Sequence, residues 1–150
     1  MQEIKIYLAG GMTGFSMDEQ LKWRNQIKNA ITCGEYDLEK KPIFFSPPDY
    51  YSPTNIETDM SEMDKKQYEH EAMEFELSQL RKSDLVIVNF VNPKSLGTAM
   101  ELMLAKEYRI PIIGLNKDGK ELHPWLSECC TKICSNMREL VYHICEFYLS

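Results

Sequence analysis

Glu101 stands in the segment 84–107, DLVIVNFVNPKSLGTAMELMLAKE, as a charged residue among Ala99, Met100, Leu102, Met103, Leu104 and Ala105. A carboxylate on a helix that otherwise looks buried needs a partner or a task. The sequence puts it within the first turn or so, where free backbone N–H groups and the helix dipole favour an acid. One reading is therefore a residue that steadies its own helix. The other is a nucleophile or base at the carboxyl end of a parallel strand, where open α/β sheets bind ligands.

A second acid stands out in the same way. Glu76 lies four residues after Ala72 and four before Leu80, on the stripe that should face a sheet, whereas Glu69, Glu71 and Glu74 fall on solvated faces. Eight residues of helix before Asp84 rise about 12 Å, against about 16–20 Å for a five- or six-residue strand. Glu76 is thus expected toward the carboxyl edge of the sheet, on the side of Glu101. Asp84, at the opposite edge, reads as structural.

The elements that must position these acids can be read from periodicity. Ile4, Ile6 and Leu8 form a first strand, which leads through Ala9, Gly10, Gly11 and Gly14 into a helix opened by the capping box Ser16 to Glu19 and continuing to about Cys33. A glycine loop before a helix can bind phosphate through its N–H groups or can be a plain turn, and both readings stay open. Residues 43–45 read as a second strand. The following stretch 46–53 carries three prolines with Tyr50 and Tyr51 and is expected to be irregular; its rings either stack on a base or cover the edge of a core.

A helix follows over about 64–82. The apolar run 85–88 reads as a strand buried on both faces, then comes a loop through Pro93 to Gly97 and Thr98, and then the helix of Glu101. A further strand is expected over 110–115, a short helix over 123–130, an edge strand over 131–134, and a last helix capped at Asn136 and reaching about Tyr148. This alternation implies a parallel sheet with helices on both faces.

With 150 residues, the chain has the length of one domain, spanning 1–150. Its composition, 43% hydrophobic and 27% charged, is that of an ordinary globular protein, and the net charge of −6 argues against nucleic acid or an anionic membrane as partner. No long apolar run and no signal-peptide core are present, so a cytoplasmic location is expected. The five cysteines lack paired spacing and read as reduced thiols. Cys130, Cys134 and His143 do not have a common zinc spacing. His123 and His143 pair with no nucleophile and read as surface or packing residues.

Two places, 6–14 (IYLAGGMTG) and 83–102 (Ser83 to Val88, then Ser95-Leu96-Gly97-Thr98-Ala99-Met100-Glu101-Leu102), resemble the nucleoside 2-deoxyribosyltransferase superfamily, which includes nucleoside 5′-monophosphate N-glycosidases. The resemblance implies a flavodoxin-like, doubly wound, five-stranded α/β sheet and a homodimer or larger homo-oligomer. It also implies a small nucleotide or nucleoside as substrate, with neither metal nor cofactor.

By the same resemblance Glu101 is the catalytic nucleophile, Tyr7 orients it, and Glu76 stands where relatives carry an aspartate that assists protonation of the leaving base. Ser95 occupies a position where nucleoside transferases have aspartate and monophosphate hydrolases serine, which favours a phosphate. Thr13 replaces a loop arginine of those hydrolases. Lys94 and the backbone of Gly10, Gly11 and Gly97 offer alternative donors. The pair Gly97-Thr98 with Glu101 is also similar to a motif of cytokinin-activating phosphoribohydrolases. A nucleotide-sensing module without turnover is the remaining reading.

Overall fold

The computed structural model describes residues 1–12, 14–50 and 61–150. Five parallel strands form one sheet in the order β2-β1-β3-β4-β5. They are β1 (Glu3–Gly10), β2 (Lys41–Phe45), β3 (Leu85–Asn89), β4 (Ile112–Leu115) and β5 (Lys132–Cys134). The helices are α1 (Met17–Thr32), α2 (Glu62–Arg81), α3 (Leu96–Glu107), α4 (Pro124–Cys129) and α5 (Met137–Phe147). The order is that of a flavodoxin-like sheet, whose direction of winding reverses between β1 and β3.

Strand alternation divides the core into two layers. Ile6 and Leu8 of β1, Leu85 and Ile87 of β3 and Ile113 of β4 pack with Trp23, Ile27 and Ile31 of α1 and Leu140 and Ile144 of α5. Tyr7 and Ala9, Val86 and Val88, and Ile112 point the other way, toward Leu80 of α2, Leu102 and Ala105 of α3 and Leu126 of α4. Residues 85–89 are all buried, as the unbroken apolar run of a central parallel strand requires.

Several boundaries differ from expectation. Pro47–Tyr50 forms a 3-10 turn within the stretch expected to be irregular, since proline's restricted φ suits the start of a turn. Tyr51 and Pro53 lie outside the described residues. The helix of Glu101 starts earlier than expected: Ser95 is the N-cap, which puts Gly97 and Thr98 inside the first turn rather than in the loop. β4 begins at Ile112, because Arg109 turns into the left-handed region at φ 56 and Ile110 donates back to Ala105 to close α3. The capping box at Ser16 and Glu19 is present with both arms.

No helix among the described residues is long and apolar enough to cross a membrane.

Candidate active site

Because Tyr7 alternates with Ile6 and Leu8, it points into the layer under α2 and α3, where it is fully buried. Its ring stacks on Phe45 at 5.2 Å, and its hydroxyl donates a hydrogen bond to Oε2 of Glu101. This contact joins the first strand to the third helix.

Glu101 does not sit in the first turn. Ser95 caps α3, no acidic residue occupies its first turn, and Glu101 falls in the second. Help from free N–H groups is confined to the first turn, so the helix-steadying reading loses its basis. Burial instead pushes the carboxyl up to about 7; the Tyr7 hydrogen bond opposes this, Glu76 reinforces it and Arg24 opposes it. The expectation of a carboxylate held ionised by a helix N-terminus is therefore corrected to one poised between its two forms near neutrality.

Glu76, on α2, is half-buried rather than buried. It lines one cavity of about 500 Å³ together with Glu101, Gly10, Asn92, Lys94, Ser95 and Gly97, a volume suited to a small organic ligand. Glu76 and Glu101, 25 residues apart in sequence, thus line one cavity, on the side that the helical stripe of α2 implies. A larger apolar groove of about 750 Å³ runs between α3 and α4 past Met100, Met103 and Trp125, and meets the cavity at Lys94, Ser95 and Leu96.

Ser95 accepts hydrogen bonds from the Thr98 N–H at 3.3 Å and the Thr98 hydroxyl at 3.0 Å. With its lone pairs so engaged, its single proton remains to donate. Two of the glycines serve different ends. A Cβ on Gly10 would meet Trp23 at 2.6 Å, so this glycine lets α1 lie against the tip of β1. Gly97 has no atom within 4 Å of such a Cβ and no positive φ; it leaves open space in the cavity wall rather than making a tight turn. Gly11 sits against Asn92 and Phe15. Thr13 lies outside the described residues.

The remaining residues make the following contacts. The Asp84 carboxylate accepts from the Lys5 N–H at the far edge of the sheet. His123 caps α4 by accepting from the Trp125 N–H, and His143 packs on Phe147 and Tyr148. The five cysteines are free thiols. Tyr50 stacks on Phe45 at 5.0 Å and meets the edge of Phe75.

Arg24 was not singled out from the sequence. It is fully buried, and its guanidinium donates to the carbonyls of Leu8, Gly10 and Gln20 at 3.2, 3.3 and 2.8 Å. The signal was available: Arg24 lies three residues before Ile27 and seven before Ile31, on the sheet-facing stripe of α1, as Glu76 does on α2.

Comparison with known proteins gives the family and the fold. The family profile described as "Nucleoside 2-deoxyribosyltransferase like" matches residues 3–118. Three solved structures are similar in fold. A conserved protein from Enterococcus faecalis V583 is 16% identical with a TM-score of 0.66, the match covering 95% of this chain and 97% of that one. A 2-deoxyribosyltransferase from Bacillus psychrosaccharolyticus is 17% identical with a TM-score of 0.65, over 91% of this chain and 90% of that one. The CMP N-glycosidase BcmB of Clostridium botulinum is 16% identical with a TM-score of 0.53, over 93% of this chain and 96% of that one. No curated protein matches the sequence significantly. At these identities the three structures establish the fold alone, while the profile covers most of the chain; the protein belongs to the nucleoside 2-deoxyribosyltransferase-like family.

Proposed function

We propose that this protein cleaves the N-glycosidic bond of a nucleoside 5′-monophosphate or nucleoside through a glycosyl ester on Glu101. Family membership supports an enzyme of the deoxyribosyltransferase or N-glycosidase type. The observation that carries the finer reading is the part-buried Tyr7–Glu101 hydrogen bond beside a second acid, Glu76, in one cavity.

In the proposed reaction the ionised Glu101 attacks the anomeric carbon as the bond to the base breaks, through an oxocarbenium-like transition state. The departing base takes the electron pair of that bond and a proton from Glu76. Tyr7, donating to one oxygen of Glu101, aims the other at the sugar. The Glu76 carboxylate then takes a proton from water or from a second base as that nucleophile attacks the anomeric carbon and the ester bond to Glu101 breaks. This releases the sugar or sugar phosphate, or gives a new nucleoside or nucleotide, and restores the Glu76 acid. Both routes regenerate the Glu101 carboxylate. Lys94, Ser95, Leu96 and Gly97 line the same cavity, and an ammonium, a hydroxyl and backbone N–H groups of a helix start are a donor set that suits a 5′-phosphate.

Incubation with a panel of nucleosides and nucleotides, with and without a free acceptor base, tests the reading by chromatography of released base. Mass spectrometry after trapping with a 2′-fluoro analogue should find the glycosyl adduct on the peptide of Glu101. Release that survives Glu101→Ala, or tight nucleotide binding with no release from any substrate, would overturn it.

A further inference from the structure

Arg24 has no part in the reaction as drawn, yet a buried guanidinium is costly and demands a reason. Among the described residues its hydrogen bonds go to carbonyl oxygens, and the ion pairs do not include it. Its side chain rests on Trp23 at 4.3 Å. Being fully buried, it is closed off from a phosphate in the cavity.

What it does reach is the tip of β1. Leu8 and Gly10, whose carbonyls it holds, bracket the end of the strand that carries Tyr7, and Gly10 itself lines the cavity. We infer that Arg24 is a positioning residue for Glu101: it locks the end of β1 from the α1 face and supplies the buried positive charge against which Glu101 ionises. The inference rests on Glu101 being the nucleophile of the proposed reaction.

Among the described residues the titratable groups around Glu101 are Tyr7 from β1, Glu76 from α2, Arg24 from α1 and Lys94 from the loop before α3. Tyr7 is a hydrogen-bond donor and Glu76 an opposing acid. Lys94 is exposed at the rim, where water screens it. Among these described groups Arg24 is the cation enclosed by protein, and the carboxylates of Glu101, Glu76 and Asp49 favour its charge. Burial lowers it to about 10, which leaves it charged at neutral pH. Asp49 also pairs with Lys28 at 2.9 Å and is partly exposed, so it offsets Arg24 only weakly.

The test compares Arg24→Gln, which keeps donors but loses the charge, with Arg24→Lys, which keeps the charge. Glutamate carboxyl carbons are labelled with 13C, and the Glu101 resonance is assigned from its absence in Glu101→Gln. In Arg24→Gln the Glu101 titration should move up by at least about half a pH unit. Its kcat at neutral pH should fall with little change in KM and recover at higher pH. Arg24→Lys should titrate like the wild type and retain most of the activity.

An unmoved Glu101 titration in folded Arg24→Gln overturns the inference and leaves Arg24 a packing residue. Should Arg24→Gln fail to fold, the Lys variant decides: a Glu101 titration shifted by about half a unit or more there counts against the charge. Failure of the nucleophile reading is seen separately, as turnover in Glu101→Gln, and the NMR titration stands without any activity.

Discussion

The hydroxyl of Tyr7 donates to the carboxylate of Glu101 across 94 positions of sequence, inside a layer that seals the tyrosine completely. Tyr7→Phe removes the donor and keeps the ring stacked on Phe45. The variant should fold, lose about 10- to 150-fold in kcat, equivalent to ~1.5–3 kcal/mol for a hydrogen bond to a charged group, and show the acid limb of its pH profile displaced upward. Steady-state kinetics over pH 5–9 checks both.

In the wild type, with Glu101 as the proposed nucleophile, its raised pKa predicts that activity climbs with pH through the region near 7 as the carboxyl ionises. It should fall again when the acid that protonates the base is lost. A kcat/KM profile flat from pH 5 to 8 would count against Glu101 acting as a buried nucleophile.

The same burial has a stability consequence of opposite sign. Because the folded state holds the Glu101 proton more tightly than the unfolded chain, stability is undiminished below pH 4.5 and is lost as pH rises toward 7. Glu101→Gln should therefore be more stable than the wild type at pH 8, by about 1–3 kcal/mol, with the gap closing near pH 4. Urea denaturation at the two pH values gives the comparison.

Glu76 as the proton donor predicts a dependence on the leaving group. Glu76→Gln should slow ordinary substrates by about 10²–10⁴. A substrate whose base already carries a positive charge, such as an N7-methylated purine, needs no proton and should lose less than about tenfold. Equal losses on both substrates would assign Glu76 to binding.

Two glycine substitutions should part stability from binding. Gly10→Ala drives a methyl into Trp23 at 2.6 Å, an overpacking expected to cost about 1–3 kcal/mol. Gly97→Ala meets no atom within 4 Å and adds helix propensity of up to about 1 kcal/mol. It should raise Tm slightly while weakening substrate binding, since its methyl enters the cavity. Thermal melts alongside KM distinguish the pair.

The sheet and its helices were readable because period-two and period-3.6 patterns coincide with burial, as at Ile6, Leu8 and Trp23, Ile27, Ile31. Glu76 was readable as an acid on an apolar stripe. Arg24 occupied an equivalent position on α1 and went unnoticed, although its guanidinium reaches the same strand tip. The placement of Glu101 in the helix turned on where α3 begins, and that depends on Ser95 closing on Thr98, a local hydrogen bond that competes with any later start. The ionisation state of Glu101 was beyond sequence pattern, because it depends on how completely distant elements exclude water.

The alternation along β1 has one further consequence. Tyr7 pairs with Val86 in β3 and with Phe45 in β2, and a slip of one residue in either ladder would turn its side chain to the opposite face, away from Glu101. Such a chain could still bury much of its apolar surface and display ordinary α/β circular dichroism. By the proposed reaction it would be slowed at least as much as Tyr7→Phe, so turnover per folded molecule would report strand register, a property that bulk spectroscopy of this protein does not see.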